Sequence, residues 1–233
     1  MMNFVFSQIP KPVLPVVGSS DVFPAHRIFC VGRNYAEHAR EMGNDPDREP
    51  PFFFLKSLDS LAPEGGRVMY PPSTEDLHHE VELVVALGKG GRSIEVADAF
   101  ECVFGYAVGI DLTRRDLQAD AKRLSRPWDF GKSFEQSAPL SSIQPVLSRE
   151  KHPNAGVISL SVNGEIRQHG DLRDMIWSIP EIISILSNFY MLQPGDLIFT
   201  GTPAGVGAVN PGDRLNATVE GFPDLQVDIV GSE

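Results

Sequence analysis

Val157-Ile158-Ser159-Leu160-Ser161-Val162-Asn163-Gly164-Glu165-Ile166-Arg167-Gln168-His169 is the stretch that decides the architecture. The run up to Val162 alternates apolar and polar residues, the period of a strand with one face buried. Asn163-Gly164 follows, a pair that accepts the dihedrals of a tight two-residue turn, and a second extended run begins at Glu165. The segment therefore predicts a β-hairpin. Working outward, Gln193-Pro194-Gly195-Asp196 precedes an apolar run from Leu197 to Thr200, and Asn210-Pro211-Gly212-Asp213 precedes another from Leu215 to Val219. Leu225 to Val230 closes the chain as a last strand. Between these, Ile179 to Met191 predicts an amphipathic helix with Ile182, Ile183, Leu186, Phe189 and Tyr190 along one side.

Upstream, Arg27 to Val31, Phe52 to Lys56, His79 to Leu87 and Val103 to Leu112 read as buried strands. A short helix is predicted from about Tyr35 to Met42, stopped by Gly43-Asn44-Asp45-Pro46, with a loop over Asp47 to Pro51. Leu117 to Leu124 is a second short, charged helix. Strands outnumber helices and the two do not alternate regularly. The expected class is α+β, predominantly β, with a few short helices, and not a doubly wound sheet.

The chain has 233 residues, enough for one well-filled core, and no seam asks for two. Residues 1–24, with Pro10, Pro12 and Pro15, are expected to form an N-terminal arm, and 25–233 a single catalytic domain. A formal net charge of −11 argues against a nucleic-acid partner, which needs a basic face, but not against a small anion met by a few local cations. Cys30 and Cys102 both lie in apolar stretches and are expected as buried thiols in a reducing compartment. The first 17 residues hold no apolar run long enough for a signal or a membrane span. The expected location is cytoplasmic, with no membrane partner.

His78-His79-Glu80-Val81-Glu82-Leu83-Val84 concentrates the chemistry. Residues two apart on a strand share a face, so Glu80 and Glu82 lie side by side, with Val84 and Ala86 beyond them. Two buried carboxylates at ~5 Å repel by roughly 3 kcal/mol at an effective dielectric of ~20, which a shared proton or cation relieves. Asp111, at the end of another buried strand, supplies a third oxygen. An all-carboxylate set favours a hard cation, Mg²⁺ first, with Mn²⁺ or Ca²⁺ as substitutes. Glu-x-Glu alone also fits an edge strand with two solvated side chains. His78 and His79 are expected to pack or to orient other groups, not to bind the ion.

His38 and Glu41, three apart on the first helix, can meet on one face, where a carboxylate fixes the tautomer of a histidine and raises its basicity. The pair also fits an ordinary charged surface. Lys132, in Asp129-Phe130-Gly131-Lys132-Ser133, is either a solvated lysine or a cation that stabilises an oxyanion. Arg115 and Gln118 follow Asp111 closely enough to reach a ligand there, and Lys56 ends an apolar strand where its charge needs a partner. Thr200-Gly201-Thr202-Pro203-Ala204-Gly205-Val206-Gly207 lacks the Gly-Lys-Ser/Thr of a phosphate loop, but its N–H groups and the Thr202 hydroxyl suit a carboxylate. No nucleophile triad stands out, so a covalent acyl-enzyme is disfavoured.

Taken in order, Gly32-Arg33-Asn34-Tyr35, His79-Glu80-Val81-Glu82-Leu83, Gly109-Ile110-Asp111-Leu112-Thr113-Arg114-Arg115-Asp116, Gly131-Lys132-Ser133-Phe134 and the Thr200–Gly207 turn resemble the fumarylacetoacetate hydrolase family across roughly residues 27 to 230. The resemblance implies a mixed β-roll, a homodimer, and Mg²⁺ or Mn²⁺ held by Glu80, Glu82 and Asp111. It also implies that His38 and Glu41 belong to a lid helix and activate the attacking water. Among its short bacterial members, the chain is similar to enzymes that cleave an acylpyruvate, fumarylpyruvate being the expected substrate, to fumarate and pyruvate, late in gentisate breakdown. Substrate contacts are expected from Arg33, Tyr35, Lys56, Arg115, Gln118 and Thr202, with Arg33 or Lys56 as the cation for a second carboxylate. Rival readings are an oxaloacetate decarboxylase or an oxo-dienoate isomerase of the same family, and a non-catalytic module that binds a divalent metal or a metabolite.

Overall fold

The computed structural model describes residues 4–7, 10–41, 49–146, 148 and 152–231. Met42, the predicted stop at Gly43-Asn44-Asp45-Pro46, and Asp47 and Arg48 of the predicted loop lie outside them. The hairpin forms as its turn chemistry demands. Val157–Val162 pairs with Glu165–Asp171, and both turn residues, Asn163 at φ 53° and Gly164 at φ 84°, are left-handed. That hairpin is one edge of a five-stranded sheet, continued by Arg214–Val219, Leu225–Val230 and, in parallel, Gly66–Met69.

The larger, eight-stranded sheet carries the site. Its centre is Val81–Leu87, antiparallel to Val103–Ile110 on one side and to Asp196–Phe199 on the other. Asp196–Phe199 runs parallel to Arg27–Gly32, which pairs in turn with Phe52–Lys56. Side chains of the central strand alternate between two cores. Leu83 and Val85 face the five-stranded sheet and α4 (Ile179–Phe189). Val84 and Ala86 face the other way, towards Leu14 and Phe23 of the hairpin formed by Val13–Pro15 and Val22–Pro24. The architecture is α+β and strand-dominated, as the sequence pattern predicts. Cys30 and Cys102 are free, buried thiols.

Two expectations need correction. His79–Leu87 is not one strand: Leu77–His79 belongs to a small three-stranded sheet, the pairing breaks at Glu80, and Val81–Leu87 enters the large sheet. The Glu80 carbonyl is held there by the Asp111 N–H at 2.8 Å, so the break joins two of the three acidic residues. Phe52–Lys56 is not a buried strand either. It forms the edge of the large sheet, its three phenylalanines are only half-buried, and Leu55 is 42% exposed. Its aromatic run looks like a core strand because large apolar residues serve core and pocket walls alike. Among the described residues, the remaining α-helices are α1 (Ala36–Glu41), α2 (Arg115–Arg123) and α3 (Asp129–Lys132). Among the described residues, no helix is long and apolar enough to cross a membrane.

Candidate metal and active site

Glu80, Glu82 and Asp111 converge where the central strand and its neighbour end. One carboxylate oxygen from each lies within 4.8 Å of the other two. All three are buried, at 5%, 2% and 1% exposure, so little water screens them. At such spacing each pair repels by roughly 3 kcal/mol at an effective dielectric of ~20. Cations answer this from three sides. Lys132, at the end of α3, places Nζ 2.8 Å from Glu80 and 2.7 Å from Asp111, and donates to Thr113 Oγ1 at 2.7 Å. Arg115, opening α2, donates to Glu80 at 2.5 Å and to Gln118 at 2.7 Å. Lys56 Nζ sits 2.8 Å from Asp111 Oδ1.

These contacts separate the carboxylates electrostatically. Burial pushes Glu80 upward, but the Lys132 and Arg115 cations outweigh it and hold that carboxyl below its ordinary range. For Glu82, burial and the neighbouring Asp111 and Glu80 charges act together and raise it well above that range, although the Gly201 N–H donates to it at 2.6 Å. Lys132 is also buried, yet Asp111 and Glu80 keep its ammonium more basic than usual.

The donor set fits a divalent cation. It is all oxygen, and Asp111 Oδ1 accepts no hydrogen bond despite its burial, the Lys56 ammonium lying close but off its hydrogen-bonding axis. A proton on Glu82 must leave before a cation takes its place, so metal affinity should rise with pH. In the metal-free protein, the raised Glu82 value means that the folded state binds more protons than the unfolded one above the ordinary carboxylate range. Stability from this group is therefore lost as pH rises, and an added ion restores it. The increase in Tm produced by Mn²⁺ should accordingly be larger at about pH 8 than at about pH 5.5. Equal increments at the two pH values would show that Glu82 does not exchange a proton for the metal.

The same cavity is lined by His38, Lys132, Arg33, Arg115, Gln118 and Thr202, so most of the expected site residues meet there. His38 is buried, and its Nδ1 lies 3.2 Å from Glu41 Oε2. The glycine-rich turn does bind carboxylates, but they belong to the protein. Gly201 N–H serves Glu82, and Gly205 N–H donates to both oxygens of Glu41 at 3.2 Å. Gly201 has φ +98°, and a Cβ there would stand 2.7 Å from that of Asn34. This close approach lets Asn34 donate to the Thr200 and Trp177 carbonyls and accept from Trp177 N–H, which pins the start of α1 over the site.

Two expected substrate contacts are not at the cavity. Lys56 is buried behind Asp111, donating to Leu112 O at 3.2 Å, to Ser137 Oγ at 3.0 Å and to Lys132 O, so its charge is already committed. Tyr35 lines a neighbouring cavity with His169 and Asp174, and its buried hydroxyl has no hydrogen-bond partner. His78 and His79 lie off the carboxylate cluster. His78 Nε2 is 2.8 Å from Asp76, and His79 Nδ1 is 2.9 Å from Gln168 Oε1, while burial lowers the pKa of both rings. Gln168 also donates to Thr202 Oγ1 at 2.8 Å, leaving the hydroxyl proton of Thr202 for another acceptor.

Lining residues that sequence reasoning missed are Lys122, Trp128, Phe52 and Phe54. Lys122 reads as one more charge on a solvated helix. A usable signal exists in Phe52-Phe53-Phe54, since three consecutive aromatics cannot all face one core from a strand.

Buried carboxylates at the end of the largest sheet, met there by Lys132 from α3 and His38 from α1, make an enzyme-like site, and the family that the chain matches is one of hydrolases. The family model described as Fumarylacetoacetate (FAA) hydrolase C-terminal matches residues 27–230, and the chain belongs to that family. It is similar to the fumarylpyruvate hydrolase of Pseudomonas aeruginosa, whose crystal structure is a complex with Mn²⁺ and pyruvate, at 48% identity and a TM-score of 0.95 over 99% of this chain and 100% of that one. A fumarylpyruvate hydrolase from Ralstonia sp is 44% identical over 82% of this chain and all of its own length. The mitochondrial oxaloacetate tautomerase FAHD1 of Mus musculus is 45% identical over 88% of this chain and 92% of its own.

Proposed function

We propose that the protein hydrolyses an acylpyruvate, preferentially fumarylpyruvate, to a carboxylic acid and pyruvate, with Glu80, Glu82 and Asp111 holding Mg²⁺ or Mn²⁺. The observation that carries this reading is the His38–Glu41 pair lining the same cavity as the three carboxylates. A divalent ion there supplies Lewis acidity to the oxygens of a 2-oxo acid. Glu41 accepts from Nδ1 of His38, leaving Nε2 free to take a proton from water. That water adds to the distal acyl carbonyl. The bond between the acyl carbon and C3 of the pyruvate unit then breaks, its electron pair leaves as the pyruvate enolate, and C3 takes a proton from solvent while His38 returns its own to solvent. Lys132, raised in basicity and fully charged, stabilises the developing oxyanion. Gln118 and Thr202 orient the oxo acid, and Arg115, held by Glu80, fixes Gln118 through its own hydrogen bond. The helix α1, tied at its end by Glu41 to the Gly205 N–H, is the element placed to open for substrate and close over it.

Similarity to the tautomerase favours a second reading, in which the same carboxylates and Lys132 serve only to form and quench the enol of oxaloacetate. Pyruvate release should be followed from fumarylpyruvate, maleylpyruvate, acetylpyruvate and oxaloacetate, with and without Mg²⁺, alongside oxaloacetate enol–keto exchange. Metal-dependent cleavage of fumarylpyruvate well above the others supports the first reading. Exchange of oxaloacetate without cleavage of any acylpyruvate would replace it with the second.

A further inference from the structure

Among the described residues, two of the cations that line the cavity have no carboxylate to match them. Arg115 is spent on Glu80 and Lys56 is sealed behind Asp111. Arg33 and Lys122 differ. Among the described residues neither forms an ion pair, and both are only half-buried against aromatic walls. The Lys122 ammonium lies 5.0 Å from the centre of the Trp128 ring, and the Arg33 guanidinium 5.5 Å from that of Phe52. Those rings meet edge to face at 5.1 Å, so they form one corner carrying both charges. Stacking on an aromatic face orients a cation without neutralising it.

The backbone beneath is built for this placement. Gly32 lacks a Cβ where the Phe52 ring sits, since a Cβ would fall 2.1 Å from that ring. Arg33 itself adopts φ +62°, a left-handed conformation that a long side chain disfavours and that persists where surrounding structure requires it. Partial burial, then the Arg115 and Arg33 charges, bring the Lys122 ammonium down to about 8. An anion entering between Lys122 and Arg33 relieves that crowding.

We propose that Lys122 and Arg33 form the subsite for a second carboxylate at the acyl end of the substrate, so that the enzyme selects dicarboxylate acylpyruvates over those with a neutral acyl group. The inference rests on the acylpyruvate reading and adds to it the chemical class of the acyl group and a residue, Lys122, that sets it. The dicarboxylate straddles the cavity, its oxo-acid end at the three acidic residues and its far carboxylate at the aromatic corner. Arg115 remains with Glu80.

The test compares the wild type, Lys122→Met and Lys122→Arg, each loaded with Mn²⁺, on fumarylpyruvate and acetylpyruvate. Lys122→Met should lower kcat/KM for fumarylpyruvate about 10- to 100-fold, the size of one lost charge-assisted contact, mostly through KM. Acetylpyruvate should change far less, and Lys122→Arg should recover most of the loss. Parallel losses on both substrates, or none on either, would overturn the assignment. In a separate calorimetric arm, fumarate and crotonate, which carries a methyl group in place of one carboxylate, are titrated into the same proteins. Wild type should favour fumarate about tenfold or more, and Lys122→Met should erase that preference. A wild type that cleaves neither acylpyruvate yet shows this preference refutes the reaction, not the subsite; a wild type without the preference refutes the subsite.

Discussion

Replacing His38 with alanine is expected to cut pyruvate release from fumarylpyruvate by about 10²- to 10⁴-fold, the contribution usual for a positioned general base. The loss should fall on kcat, because the water is activated only in the transition state and the substrate's oxo-acid contacts remain. Enolisation of oxaloacetate needs no attacking water, so the same variant should keep most of any exchange activity. Glu41→Gln should cost less, since the amide still fixes the ring orientation but no longer stabilises the imidazolium. Parallel assays of hydrolysis and enol–keto exchange check this. Full hydrolysis by His38→Ala would remove His38 from the role, and equal loss of both activities would make it a general part of the site and not the water base. Because the His38 side chain is buried, a thermal melt of the variant separates loss of the base from loss of structure.

Glu82→Gln should have the broadest effect. Removing one anionic ligand of three is expected to weaken Mn²⁺ binding by about 100-fold or more and to abolish hydrolysis and exchange together. Stability should move the opposite way. Glu82 is the carboxyl whose ionisation burial and its acidic neighbours oppose most, and the amide takes its place without the charge. The metal-free variant should therefore melt no lower than wild type near neutral pH, and by order of magnitude about 1 kcal/mol in its favour corresponds to ~2–4 °C. Calorimetry with Mn²⁺ and a thermal melt separate lost ligation from misfolding. Near-normal Mn²⁺ affinity would take Glu82 out of the metal site, and a melt many degrees lower would show that its carboxylate holds the Gly201 turn together.

Much of this was legible in the residues because it is local. The Asn163-Gly164 turn, the alternation before it and the two Pro-Gly-Asp entries to strands depend only on neighbours, and they form where the pattern predicts. Glu80 and Glu82 are two apart, and they do share a site with Asp111, though by a break in pairing and not along one strand. His38 and Glu41 meet because three residues make nearly one helical turn.

The roles of cations and aromatics were not legible, since they depend on which distant segment lies opposite. Lys56, ending an apolar strand, reads as needing a partner and Lys122 as one more charge on a helix, but neither sequence context names what each meets. The first is turned inward by an edge strand onto Asp111, 55 positions away, and the second is stacked by α2 on Trp128 beside Phe52. Likewise, the turn's affinity for carboxylates follows from its glycines, whereas its choice of Glu82 and Glu41 as occupants follows from a parallel pairing of Asp196–Phe199 with Arg27–Gly32 that no neighbour in sequence specifies. The sequence by itself thus determined the strand-rich class, the acidic trio and the histidine–glutamate pair. Only the tertiary structure decided which charges are spent holding the site and which remain free to meet a substrate, because a charge is neutralised by what packs against it, and that packing is non-local.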